Sequence, residues 1–133
     1  MQALLILIFI SFLEINSPVT PAVAAEVFIE KANTQLANSV LLLLENFRLD
    51  CGRFPKTAEG LRALLVMPKA LHCVVFPRGG YFRDGMIPKD VWGHHFILFS
   101  NGKTGTLISL GKDGKKGGSG EDADVSYPLP PLR

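Results

Sequence analysis

The chain has only two cysteines, Cys51 and Cys73, in 133 residues, which is too few for a disulfide-stapled scaffold. They also lack the spacing of a zinc site. Outside the cytoplasm they are expected to form one bridge; inside it they remain two free thiols. No basic stripe with interleaved aromatics is present. Lysines and arginines are scattered from Lys31 to Arg133 among nearby acids, at a formal net charge of +2, which excludes a nucleic-acid partner. The longest apolar run, Ala3 to Leu13, has eleven residues, well short of the roughly twenty that cross a bilayer as a helix. Catalytic signatures are missing too. Ser109 and Ser119 have no histidine at motif spacing, there is no G-x-S-x-G elbow, and neither thiol has a local activating partner, which argues against an enzyme.

What is present describes one small globular domain with an apolar segment in front of it, at a hydrophobic share of 47%. After the apolar run come Glu14, Asn16, Pro18 and Pro21, and then Ala22 and Ala24 in an A-x-A arrangement. Residues 1–24 therefore read as an export signal removed after Ala24, although Met1 and Gln2 supply no basic side chain before the run. The alternative is an uncleaved membrane-associated segment. Residues 25–133 form the domain.

Within it, Ile29, Ala32, Leu36, Val40, Leu43 and Phe47 recur at spacings of three and four, with Glu30, Asn33, Thr34 and Asn38 between them. This pattern predicts a long helix from about Ala25 to Leu49, with its C-terminal half on a sheet and its first turns projecting. Gly52 and Pro55 end it. Thr57 then reads as the cap of a short amphipathic helix through Leu61, Leu64, Leu65 and Met67, stopped by Pro68. The Pro- and Gly-rich stretch from Lys69 to Pro88 predicts a loop, with Val74 to Phe76 as a short strand and Tyr81 and Phe82 as anchors. Trp92 covers one edge of the core.

His94 and His95 invite a metal reading that strand geometry opposes, because neighbours on a strand point to opposite faces. They instead begin a two-faced strand through Phe99, which turns around Asn101-Gly102 and returns from Thr106 to Leu110 as a hairpin.

The hairpin leads into Ser109 to Val125, SLGKDGKKGGSGEDADV. Glycine loses the most backbone entropy on ordering, and Glu121, Asp122 and Asp124 repel one another unless solvated, paired or bound to a cation. A hard divalent ion suits them, since calcium takes six to eight oxygens from carboxylates and carbonyls. The EF-hand pattern fails because Asp113 is followed by Gly114, Lys115 and Lys116, and the P-loop pattern fails at the residues flanking Lys116.

LDCGRFPKTAEGLRAL at Leu49 to Leu64, GGY at Gly79 to Tyr81, IPKDVWG at Ile87 to Gly93 and SLGKDGKKGGSGEDAD at Ser109 to Asp124 stand in one order and spacing. Taken together, they resemble the periplasmic domain of the G-type, or major, pseudopilin of the bacterial type II secretion system. The resemblance implies an α+β fold: a long N-terminal helix on a small antiparallel sheet, a short second helix and a calcium-binding C-terminal loop. It also implies assembly with other pseudopilin subunits and secretion components, in the periplasm or on the periplasmic face of the inner membrane. Carried onto this chain, it makes Asp113 and Asp124 the first side-chain ligands of calcium, Asp122 a third and the Leu110 carbonyl the backbone ligand, with Glu121 and the Ser119 carbonyl as alternates.

The two ends depart from the family pattern. Ile10 to Glu14 resembles the family's mature start, but Phe9 stands where the family has glycine, and prolines follow Glu14. SYPLPPLR at Ser126 to Arg133 replaces the usual aromatic finish, and Cys51 stands where family members tend to have asparagine. Two functions follow as expectations. One is a pseudopilus subunit or accessory, with homo-oligomers and inner-membrane contact through the N-terminal segment. The other is a stand-alone exported calcium-binding module that does not polymerise. A third, an exported enzyme or ligand-binding protein using Lys69 to Pro88, has only the length of that loop behind it.

Overall fold

The computed structural model of the protein describes residues 18–131. Its longest element, α1, runs Pro21–Cys51, starting before the predicted Ala25 and ending just beyond Leu49. Pro21 opens the helix instead of breaking it, because a first-turn proline has no N–H to satisfy and its φ is already helical. The Thr20 hydroxyl caps that turn, accepting the Val23 N–H at 3.4 Å. At the other end Gly52 takes φ 80°, and its N–H returns to the Arg48 carbonyl at 2.8 Å.

The buried positions of α1 are Asn33, Ala37, Val40, Leu44, Phe47 and Cys51, spaced as a core-facing stripe. The predicted stripe shares Val40 and Phe47 with it, while Ile29, Ala32, Leu36 and Leu43 flank it half-buried. Asn33 holds a core position because both ends of its amide are bonded. Nδ2 donates to the Tyr127 hydroxyl and Oδ1 accepts the Val91 N–H, each at 3.2 Å. The first turns, from Pro21 to Phe28, project with Val23, Val27 and Phe28 exposed.

Three antiparallel strands lie in the order β1 (Ile97–Ser100), β2 (Gly105–Ser109) and β3 (Val125–Pro128). The strand predicted from His94 starts later, at Ile97, because His95 makes only an isolated bridge to Lys89. Within β1 the alternation holds, with Leu98 and Ser100 inward and Ile97 and Phe99 outward, and buried Phe96 just before it. Asn101 shapes the hairpin turn, its Oδ1 accepting the N–H groups of Lys103 and Thr104 at 2.9 Å. The unusual C-terminal tail supplies β3, with Pro128 opposite Thr106. Proline is tolerated there because β3 is an edge strand. Tyr127 and Leu129 return to the core.

Between α1 and the sheet the chain departs from its predicted elements. Leu61–Leu64 is a single 3-10 turn, and the α-helix predicted to reach Met67 does not form. Thr57 is engaged elsewhere: its hydroxyl accepts the Ser100 N–H at 2.8 Å and donates to the Ser100 carbonyl at 3.0 Å. Val74 to Phe76 is not a strand, since the Val74 N–H bonds the Asp50 carbonyl at 2.8 Å. Phe76 and Tyr81 pack their rings around Phe47, and the Tyr81 hydroxyl donates to Asp50 Oδ2 at 2.7 Å. Burial and that carboxylate push the Tyr81 phenol up. A Cys51–Cys73 disulfide closes the same corner, so the two thiols are bridged.

No helix among the described residues is long and apolar enough to cross a membrane. The apolar run Ala3 to Leu13 and the Ile10 to Glu14 match lie outside the described residues.

The 52–60 turn is held by Arg53, which donates to both oxygens of Glu59 at 2.7 Å, while Glu59 also accepts the Lys56 N–H at 2.8 Å. The Arg53 bond above all holds the Glu59 carboxyl below its ordinary value of 4.5, against the opposing effect of burial. A carboxyl depressed in the folded state stabilises the fold above its unfolded pKa, and that contribution is lost as pH falls through the lower folded value. Glu59→Gln is expected to destabilise by about 1 kcal/mol at neutral pH. The gap to wild type should close as pH falls below the ordinary glutamate range. Urea unfolding across that range checks it; a gap independent of pH contradicts it.

Candidate metal centre

The loop leaves β2 after Ser109 and returns to β3 at Val125, and these two residues face each other as the last pair of the ladder. Leu110 and Asp124 are therefore the first residues beyond that pair, one on each limb. Just outside them the limbs are joined again. The Lys112 N–H donates to the Glu121 carbonyl at 2.8 Å, and Lys112 Nζ reaches Glu121 Oε2 at 2.8 Å. That hydrogen bond raises the Lys112 pKa. Gly120–Asp122 forms a 3-10 turn, in which Asp122 N–H donates to the Ser119 carbonyl at 3.1 Å.

Two glycines let the limbs meet this closely. Gly111 sits at φ 71°, and a Cβ there would lie 2.7 Å from both the carbonyl carbon and the oxygen of Asp122. Gly118, at φ 87°, would place a Cβ 2.5 Å from the same oxygen. The Asp122 carbonyl is thus enclosed between two backbone segments that only glycine permits.

The expected oxygen donors are divided by this geometry. Asp124 is half-buried; its Oδ2 accepts the Gly117 N–H at 3.1 Å. Among the described residues, Asp124 Oδ1 is the buried side-chain polar atom without a hydrogen-bond partner. Asp122 is also half-buried and packs its backbone on Gly111, next to Leu110. Asp113 is exposed on the outgoing limb, with Oδ1 accepting the Lys115 N–H at 2.9 Å. Of the alternates, Glu121 is taken by Lys112, and the Ser119 carbonyl accepts the Asp122 N–H. Among the described residues no three His, Cys, Asp or Glu side chains are arranged to hold a metal ion. A cation here would draw on backbone carbonyls as much as on carboxylates, a mixture that calcium takes. The unpaired Asp124 oxygen fits such an ion, since a buried carboxylate oxygen left without a partner is destabilising.

Sequence patterns placed Ser109 at the start of the loop and Asp90 in the IPKDVWG motif but gave neither a role; both stand behind this loop. Ser109 Oγ donates to Asp90 Oδ2 at 2.7 Å, with both residues buried. The signal available was an acid in the turn before a strand, Asp90-Val91-Trp92-Gly93, which on its own reads as surface.

The family described as type II secretion system, protein G, matches residues 23–127. The type II secretion system core protein G of Vibrio cholerae serotype O1 is 37% identical over 102 residues, covering 72% of this chain and 68% of that one. The protein of the same name from Klebsiella pneumoniae is 41% identical over 92 residues, covering 64% of each. The match thus spans about two thirds of the length of these relatives. Among solved structures, the fold is similar to the major pseudopilin from the type 2 secretion system of enterohaemorrhagic Escherichia coli, with a TM-score of 0.64 and 28% identity. That match covers 83% of this chain and 96% of the other.

Gly111→Ala tests the closure of the loop. It adds a clash with the Asp122 backbone to a left-handed φ, and is expected to destabilise by roughly 2–4 kcal/mol. Ala at Gly117, which has open space, meets only the backbone penalty of about 1 kcal/mol. Thermal unfolding of the two variants checks the order.

Proposed function

The chain belongs to the type II secretion system protein G family, and from that premise we propose that it is a structural subunit of the pseudopilus whose C-terminal loop is closed by calcium. The family is one of structural pseudopilins and not of enzymes. The observation that carries the subunit role is the match over residues 23–127, on a fold that aligns with 96% of a major pseudopilin. Its partners are other pseudopilin subunits and components of the secretion machinery. The Cys51–Cys73 bridge supports an oxidising compartment, as the periplasm is. We place the domain there, with inner-membrane contact through the N-terminal segment. The family match does not favour the stand-alone module that does not polymerise. In the long segment from Lys69 to Pro88, Phe76, Tyr81 and Phe82 pack against the core.

The calcium reading rests on Asp124 Oδ1, buried and unpaired at the mouth of the β2–β3 ladder. Asp124 and the Leu110 carbonyl would hold the ion first, with Asp122 and Asp113, which the structure does not gather into one cluster with Asp124, turning in on binding. Bound there, calcium supplies positive charge and coordination that neutralise the acidic limb; it takes no part in chemistry. The residues themselves do the rest. Gly111 and Gly118 bring the limbs into contact, and Lys112 ties them through Glu121.

Two outcomes are expected. Periplasmic cross-linking of the full chain in its native cell should give a ladder of oligomers, and deletion should stop secretion through this system. A monomer with secretion intact refutes the subunit role. For the metal, chelation should lower the melting temperature by roughly 10 °C relative to calcium a hundredfold above its Kd. Replacing Asp113 and Asp124 together with Ala should abolish that response, while a wild type indifferent to chelator removes calcium from the proposal.

A further inference from the structure

We infer that His94 is a positioning residue for the loop: anchored by the buried Asp90 carboxylate, its imidazole latches the outgoing limb, Ser109 to Gly114, in the shape that presents its oxygens to a cation. The functional consequence rests on the calcium reading above; the latch stands on geometry alone.

Asp90 is 4% exposed, and both its oxygens are occupied. Oδ1 accepts the N–H groups of Trp92 at 3.1 Å and His94 at 2.8 Å, and Oδ2 accepts the Ser109 hydroxyl at 2.7 Å. The Asp90 N–H in turn donates to the His94 carbonyl at 2.8 Å, which closes the turn into a rigid unit. From this unit two contacts reach the loop. Ser109 Oγ accepts the Gly111 N–H at 3.4 Å, and His94 Nε2 donates to the Lys112 carbonyl at 3.0 Å. The His94 ring also rests on Gly114, where a Cβ would come within 2.8–3.0 Å of three ring atoms. The Gly114 N–H bonds back to the Gly111 carbonyl at 3.2 Å.

The pattern of what is held matters. Ser109, Gly111, Lys112 and Gly114 are each fixed by the latch. Leu110 and Asp113, the oxygen donors expected on this limb, lie between them and are untouched by it. Ordering a residue costs about 1–2 kcal/mol of backbone entropy, so a limb already ordered without metal binds one more tightly. Groups behind a metal's ligands commonly change affinity 10- to 100-fold when removed.

The test uses the full chain with His94→Ala, His94→Gln, which retains an N–H donor, and Gly114→Ala, which displaces the ring. Calcium affinity is read by competition with a fluorescent chelator, and loop order by amide hydrogen exchange at Lys112 and Gly114 in excess chelator. His94→Ala and Gly114→Ala are expected to speed that exchange about tenfold and weaken calcium binding about tenfold or more. The urea midpoint of His94→Ala in chelator should remain at the wild-type value, and His94→Gln should recover most of both losses. Unchanged exchange in His94→Ala overturns the latch, as does an affinity loss that only tracks a fall in the urea midpoint. If the wild type binds no calcium while His94→Ala still speeds exchange, the calcium reading fails and the latch is upheld.

Discussion

The sheet cannot stand without the buried stripe of α1. Its strands are four and five residues long, and so small a sheet is marginal until one face is covered. Val40, Leu44 and Phe47 share one core with Leu98 and Leu107, each large side chain contributing roughly 1.5–3 kcal/mol by leaving water. Apolar burial alone does not choose where along the helix the sheet sits. The Asn33 amide does, because sliding the helix by a turn would strand its buried groups away from Tyr127 and Val91. Through Tyr127 the same contact holds β3 in place, and β3 defines the returning limb of the loop.

From that frame the loop inherits its shape. The Ser109 and Val125 pair aligns the two limbs, and the glycines at 111 and 118 let them touch around the Asp122 carbonyl. A side chain at either place would hold the limbs apart by the width of a methyl group. Such a loop suits a structural subunit, since it is closed from several sides and keeps one carboxylate oxygen, on Asp124, buried without a hydrogen-bond partner.

The opposite corner is closed by different means. There the helix end, the Cys51–Cys73 bridge, the Phe47, Phe76 and Tyr81 rings and the Tyr81 to Asp50 bond gather a long segment that has no helix or strand of its own after Leu64. Val74 and Val75 stay exposed despite their β-propensity, because the bridge and the Asp50 carbonyl hold that stretch as an irregular connection.

Local patterning by itself determined the long helix, the two faces of β1, the turn at Asn101 and the concentration of acids and glycines after β2. Each follows from periodicity or from turn chemistry within a few residues. The order of motifs from Leu49 to Asp124 was enough to place the chain in its family. Tertiary structure decided what those patterns leave open. Pro21 became a helix start once Thr20 capped it, and the Leu61 to Met67 pattern shrank to one 3-10 turn with Thr57 bound to Ser100. Asn33 entered the core because a partner 94 residues away satisfied it. Asp113 and Asp124 look alike in the sequence, yet one is exposed and the other has a buried, unpaired oxygen. Periodicity tells which way a side chain points; what it meets there depends on residues brought close only when distant segments pack.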